Sequence, residues 1–337
     1  MTRYIDTESS TSPTQTREHA ECTVGGLTPP AVASGHVLVE RQNDDQSMEL
    51  LAAKYDRYER ASAVSGWAFK LMLSTVLFAV LKPWKPEWSL GVDLYIMVAF
   101  FGELWLDRAQ ETLQAEGARV QEVFDRRVYQ LPWPHGWIER PTSETMALWA
   151  QQGRARTSSE EQGRWLDWYP VEVAVLPLSV ARLACQRANA WWDANQREGY
   201  AKGLIVLSVI MLACLSVAAI VPDLARDTVK DNVIVWLPVP YWLMREGLRH
   251  RRAARERCCA LERAMAAVTG ALETGLDEST LTRRAEEVQA ALFRQRQAGP
   301  MVWPRYYHLR RPQTEQAMKA GAADVVGAYL ARYPRGE

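Results

Sequence analysis

The chain has 337 residues, and its 40 basic and 40 acidic side chains cancel, so overall charge singles out neither nucleic acid nor an acidic membrane surface as a partner. Mean hydropathy is slightly negative, so most of the chain lies in water even where parts of it are apolar enough for a bilayer. The five cysteines (Cys22, Cys185, Cys214, Cys258, Cys259) are odd in number and without CxxC or Cys/His spacing, which argues against a disulfide framework and a zinc site.

Residues 1–40 are rich in Ser, Thr, Pro and Gly and contain no apolar core; they are predicted to be disordered and not a signal peptide. From Asn43 the pattern changes. Met48, Leu51, Ala52 and Tyr55 recur at helical spacing, predicting an amphipathic helix over 41–63 that runs into a first apolar span at 64–81. A turn with two prolines and Trp84 and Trp88 leads to a second span at 90–106, and the two make a helical hairpin over 64–106. Three ionisable residues lie in it, Lys70, Asp93 and Glu103. All are near span ends, where they can snorkel to the interface. In an oligomer they could instead ring a conducting path.

Residues 107–202 read as a soluble, mostly helical module. The second span is predicted to continue as one helix to about Tyr129, where LPWP at 131–134 stops it. Thr142 is a candidate cap for a short helix to Gln151, 154–164 reads as a polar loop, and 171–176 fits strand or helix. Helical spacing resumes at Val180 and leads into residues 203–221, GLIVLSVIMLACLSVAAIV, nineteen residues without a charge. At ~1.5 Å per residue such a helix is ~28 Å long, close to the hydrocarbon thickness of a bilayer.

The next apolar stretch, 233–244, is only twelve residues and contains Pro238 and Pro240. Alone it is too short to span, so a short or kinked segment is expected, closing a second hairpin over 203–244. The arginine run from Arg245 to Arg257 follows it. That run serves as a topology signal, an acidic-lipid contact or an anionic-ligand site. By the positive-inside rule both hairpins turn outside, and both termini are cytoplasmic. The remainder, 245–337, reads as helices over 247–273, 279–297 (capped by Ser279 or Thr280) and 314–333, with a Pro- and aromatic-rich connector at 299–312. No phosphate loop, GxSxG or HExxH is present, and the five histidines are isolated. Neither an enzyme nor a metal or organic cofactor is therefore expected.

Four blocks carry more than pattern: RQNDDQSMELLAAKYDRYERA at 41–61, RVQEVFDRRVYQLP at 119–132 with Trp133 after it, DWYPVEVAVLPLSVARLACQRANAWWDANQREGY at 167–200, and QAALFRQRQAGPMVWPRYYHLRRPQTEQ at 289–316. Together they resemble the S-4TM family, four-transmembrane effectors associated with bacterial SMODS nucleotidyltransferases. Val120 and Tyr129 stand where the family pattern has Ile and Phe, and the order WPRYY differs from the family's.

The resemblance implies a mainly α integral membrane protein of the bacterial inner membrane, with two transmembrane hairpins flanking a cytoplasmic helical module. It implies a pore-forming effector of CBASS-type anti-phage defence. A cyclic oligonucleotide from a partner nucleotidyltransferase would activate it, and it would assemble as a homo-oligomer in the lipid bilayer, with no DNA or RNA as partner. The motif residues Phe124, Asp125, Trp133, Trp168, Tyr169, Arg182, Gln186, Arg187, Asn189 and Asp193 are the candidates for ligand binding or for holding the module together. A non-conducting membrane sensor or scaffold is the alternative, and a membrane-embedded enzyme a more remote one.

Overall fold

In a computed structural model, residues 34–82, 85–220, 236–275 and 277–334 are described. Four helices dominate them: α2 (Asp45–Leu81), α3 (Ser89–Tyr129), α6 (Leu178–Ile220) and α7 (Pro238–Thr274). Shorter ones complete the set: α1 (His36–Gln42), α4 (Ser143–Arg156), α5 (Ser159–Gly163), α8 (Glu278–Ala298) and α9 (Pro304–Arg332). The fold is mainly α, with one isolated β-bridge, Ser34 with Pro177, among the described residues.

Local chemistry sets the ends. Asp44 caps α2 by accepting from the Ser47 amide at 2.7 Å, and no Gly or Pro interrupts the helix until Gly66. Gln130 turns left-handed at φ 54° and ends α3 ahead of Leu131 and Pro132. Thr142 caps α4, which continues to Arg156, beyond the expected end at Gln151. The expected loop at 154–164 holds α5, nucleated by a capping box between Ser158 and Glu161. Residues Val171–Val175, open between strand and helix from sequence, form a 3-10 turn.

Three further expectations are corrected. The cap of α8 is Asp277, whose carboxylate accepts from the Thr280 amide, and not Ser279 or Thr280. The connector at 299–312 is half helix, because α9 starts at Pro304 and carries Pro312 inside it. A proline in the first turn costs no backbone hydrogen bond. The predicted disorder over 1–40 fails for 34–40: Leu38 on α1 is fully buried, and the Gly35 amide donates to Leu176 O at 2.7 Å. The rest of that segment, 1–33, lies outside the described residues. So does the start of the fourth apolar stretch, 233–235. Pro238 and Pro240 occupy the opening turn of α7, which is helical beyond them.

The long helices pair antiparallel. Along α2 and α3, Tyr58 lies against Gly117, Leu71 against Gly102, and Ser74 Oγ is 2.5 Å from Tyr95 Oη. Along α6 and α7, Ser208 Oγ donates to Pro240 O at 2.7 Å, and Gly247 abuts Ile205 and the Ala201 carbonyl. The two pairs meet at Val76, Val239 and Leu243, joined by Met72, Leu204, Met211 and Trp242.

Around this junction the surface is apolar and exposed. Leu73 and Leu77 of α2, Leu94, Met97, Val98 and Phe101 of α3, and Val206, Val209 and Ile210 of α6 all face outward. So large an apolar belt suits hydrocarbon and not water. Among the described residues, three helices (α2, α3 and α6) are long and apolar enough to cross a membrane, and the chain is an integral membrane protein. Beyond the belt the same helices continue into a second layer with α1, α4, α5, α8 and α9, whose core includes Leu51, Phe124, Tyr129, Leu176 and Leu183.

Candidate functional site

A cavity of about 330 Å³ opens in the extramembrane layer. All four long helices contribute to it: Lys54 and Tyr58 from α2, Gln121 from α3, Asn189, Trp192 and Asp193 from α6, and Arg257 from α7. The segment before residue 170 adds Trp165 and Trp168, α8 adds Arg296, and α9 adds Tyr307, His308 and Arg311. Six basic residues line it against three acidic ones, with seven Trp and Tyr rings among them.

The positive groups are tied down by a few anions. Arg197 donates from Nε to Asp193 Oδ2 at 2.8 Å, and Arg257 donates to the same oxygen. Arg197 also reaches Pro300 O and Arg257 reaches Gln295 Oε1, so α6, α7, α8 and the loop before α9 are joined at one point. Burial alone would raise Asp193, but Arg197 and Arg257 outweigh it and hold the carboxyl well below the usual range.

A second network starts at Asp125. Its Oδ1 accepts from Tyr169 Oη at 2.6 Å, and its Oδ2 accepts from Gln289 Nε2 at 2.9 Å and Arg296 at 2.5 Å. Gln289 donates in addition to Glu122 Oε2 at 2.7 Å, and Gln186 donates to Gln289 Oε1 at 3.1 Å. Burial and the nearby Asp125 raise Glu122, against the opposing pull of Arg126 and Arg296.

Several lining groups have spare hydrogen-bonding capacity. Asn189 Nδ2, both amide atoms of Gln196, and Arg296 Nη2 are buried and find no partner among the described residues. Such groups are costly unless something satisfies them. Flat rings stand nearby: Trp192 and Tyr307 stack at 6.1 Å with an interplanar angle of 11°, and Lys54 Nζ sits 3.5 Å over the Trp168 ring.

Of the ten motif residues singled out from sequence, the structure brings Trp168, Tyr169, Asn189 and Asp193 to the cavity wall. The other six lie outside it. Phe124 stacks on Tyr169 in the core, and Asp125 sits behind the wall, holding Arg296 in place. Arg182 donates to Tyr129 O at 2.5 Å, Gln186 to Ala285 O at 2.8 Å, and Arg187 to Gly321 O at 2.7 Å. These three clasp helices to one another. Trp133 donates from Nε1 to Ile138 O at 3.1 Å, away from the cavity.

The span residues do not come together in one chain. Asp93 pairs with Lys82 at 2.7 Å beside the hairpin turn. Lys70 lies on the outer face with Nζ 4.2 Å over the Trp67 ring, one turn toward the extramembrane layer, as a snorkelling lysine does. Glu103 is half-buried.

Arg257 ends the arginine run for which an anionic-ligand site is one reading, whereas Lys54, Trp192, Arg197, Arg296, Tyr307 and Arg311 were missed. Most fall inside the blocks quoted above, and the available signal was a cation or ring interrupting an otherwise apolar helix face, as Lys54 does beside Tyr55.

Neither a curated protein nor a solved structure matches the sequence. A family model, that of the SMODS-associating 4TM effector domain, matches residues 36–325. Its start coincides with α1, the element misread as disordered, and its end falls within α9. The chain belongs to the SMODS-associating 4TM effector family.

Proposed function

We propose that the protein is a CBASS-type effector of the bacterial inner membrane, not an enzyme, with the extramembrane layer in the cytoplasm, and that the cavity is its receptor for a cyclic oligonucleotide. The observation that carries this reading is the cavity's lining. Guanidiniums and an ammonium suit phosphodiesters, and the Trp and Tyr rings that line the cavity suit stacked bases. The unpartnered amides of Asn189 and Gln196 suit base edges. A partner nucleotidyltransferase supplies the ligand.

The cavity's position supplies a mechanism. Asp193 and Arg197 lie ten and six residues before Gly203 on α6, about 15 and 9 Å along the helix from the apolar span. A ligand that binds one arrangement of these helices better than another shifts the population of their membrane segments by that difference in affinity. Inside one chain the bundle is closed by Val76, Val239 and Leu243, so a conducting path forms between copies. Lys70, Asp93 and Glu103 are then candidates to line it. The closed apolar interior also favours a second reading, a non-conducting sensor that signals to a protein partner.

Release of a dye from liposomes holding the full chain tests both, with a panel of cyclic di- and trinucleotides. Ligand-dependent release supports the effector reading. Binding without release by well-inserted protein favours the sensor, and an absence of binding to every member overturns the receptor assignment.

A further inference from the structure

Lys54 of α2, Arg296 of α8 and Arg311 of α9 all line the cavity, and both arginines are near enough to act on the Lys54 charge, so the three mark one end of it. We propose that this end is a phosphodiester subsite, and that Lys54 meets the bound phosphate as an ammonium group carrying a proton drawn from solvent. The subsite rests on the reading of the cavity as a nucleotide receptor and adds to it which groups hold phosphate.

Arg296 is a built feature: its side chain is 9% exposed, and one guanidinium nitrogen is fixed on Asp125 at 2.5 Å. Its Nη2 lies buried without a hydrogen-bond partner among the described residues. Both oxygens of the Asp125 carboxylate are already engaged, Oδ1 by Tyr169 and Oδ2 by Gln289 and Arg296. Lys54 makes no ion pair among the described residues and rests on the face of Trp168. Arg311 donates from Nη2 to Arg164 O at 3.0 Å and pairs loosely with Glu315 at 3.5 Å. Three cations therefore line this end against Asp125, already committed to Arg296, and Glu315, only loosely paired with Arg311, and an anion is what such a place lacks.

The proton follows from the same arrangement. Burial lowers Lys54 to about 7; Asp125 opposes this, while Arg296 and Arg311 add to it. Other charged or titratable groups lining this cavity are Tyr55, Tyr58 and Glu59 of α2, Glu161 and Arg164 at α5, Tyr169 ahead of α6, Asp193 and Arg197 of α6, Arg257 of α7, and Tyr307 and His308 of α9. Burial raises Tyr58 to about 12, and Asp193 is held low by its arginines, so neither changes charge between pH 7 and 9. A phosphodiester beside Lys54 favours the charged amine and raises its pKa. Binding then takes up protons, and affinity falls as pH rises from 7 toward 9.

Calorimetry on the full chain in detergent tests this, at pH 7.5 in buffers of different ionisation enthalpy. The probes are cyclic di- and trinucleotides, adenosine monophosphate and inorganic phosphate. The expected result is uptake of on the order of 0.7 proton per ligand, and an affinity roughly tenfold or more weaker at pH 9 than at pH 7. Lys54→Arg, charged throughout this range, should bind at pH 9 as at pH 7, which separates Lys54 from His308. Lys54→Met should bind more weakly at pH 7 and lose the pH dependence.

Cyclic nucleotide binding without proton uptake, or with pH dependence retained in Lys54→Arg, overturns the subsite and leaves the receptor standing. Proton-linked binding of the monophosphate or of phosphate alone, with no cyclic nucleotide bound, does the reverse. Binding by no probe overturns both.

Discussion

Arg257 on α7 and Arg197 on α6 share a single carboxylate oxygen, Oδ2 of Asp193. The carboxylate is 32% exposed toward the cavity, whereas the Arg257 side chain is 2% exposed. One anion thus compensates two enclosed guanidiniums at the point where the two halves of a membrane-entering helix pair are joined.

Replacing Asp193 by Ala leaves those guanidiniums facing each other. The expected loss is about 2–3 kcal/mol, below the range for a fully dry pair because the carboxylate is partly wet. Chemical unfolding in detergent measures it. The folded pKa of Asp193 is depressed, so its contribution is complete above the ordinary carboxylate value near 4 and is lost only as pH falls through the lower, folded value. Between pH 5 and 8 the difference between wild type and variant should therefore stay constant.

His250 behaves in the opposite sense. Its ring lies edge-on to Tyr200 at 4.7 Å. Burial, reinforced by Arg197, lowers it to about 3. Above pH 6.5 the imidazole is neutral in both folded and unfolded chains. Below that value only the unfolded chain takes the proton, so stability falls as pH drops from 6.5 toward 3, by on the order of 3–5 kcal/mol in all. His250→Gln should flatten this part of the stability profile while leaving the steeper carboxylate losses below pH 4. Unfolding midpoints at half-unit pH steps give the comparison.

Gly153 lets α4 lie directly on α2. A Cβ there would strike the Ala52 carbonyl, which is backbone and has little freedom to move. Gly153→Ala should cost about 1–3 kcal/mol. Gly327→Ala on α9, where a Cβ meets nothing within 4 Å, should be neutral or stabilise by up to about 1 kcal/mol. Thermal shifts of the two variants side by side make the test.

The stacked pair Trp192 and Tyr307 should matter for ligand and Trp133 should not. Removing either ring by Ala is expected to weaken cyclic nucleotide binding by about 1–3 kcal/mol, the range for base stacking. Trp133→Phe loses one hydrogen bond to Ile138 O outside the cavity and should leave affinity unchanged. Equal losses in all three variants would mean a general loosening of the module and not a stacking site.

Much of the fold was legible in the sequence because it depends on one-dimensional properties. A charge-free run such as 203–221 has a length, and length alone meets the thickness of a bilayer. The helical stripe from Ala109 to Phe124 has a period, and LPWP has a stop. The blocks around Phe124, Asp125, Arg182 and Gln186 pointed to the family, and most of those residues lie in the core of the extramembrane layer.

What the sequence could not order was proximity. Asp193 and Arg257 are 64 positions apart, Asp125 and Arg296 are 171, and no period or motif links either pair. Sequence places Lys54 on the amphipathic helix over 41–63, and only the fold sets it against Trp168 and near Arg296 and Arg311. Residues 34–40 looked disordered by composition, yet Leu38 is buried once Leu176 and Pro177 are present to receive it. Apolar length and helical period are set residue by residue along the chain. Which charges lose their water, and which carboxylate compensates them, is set only when distant helices meet, and that meeting makes the cavity.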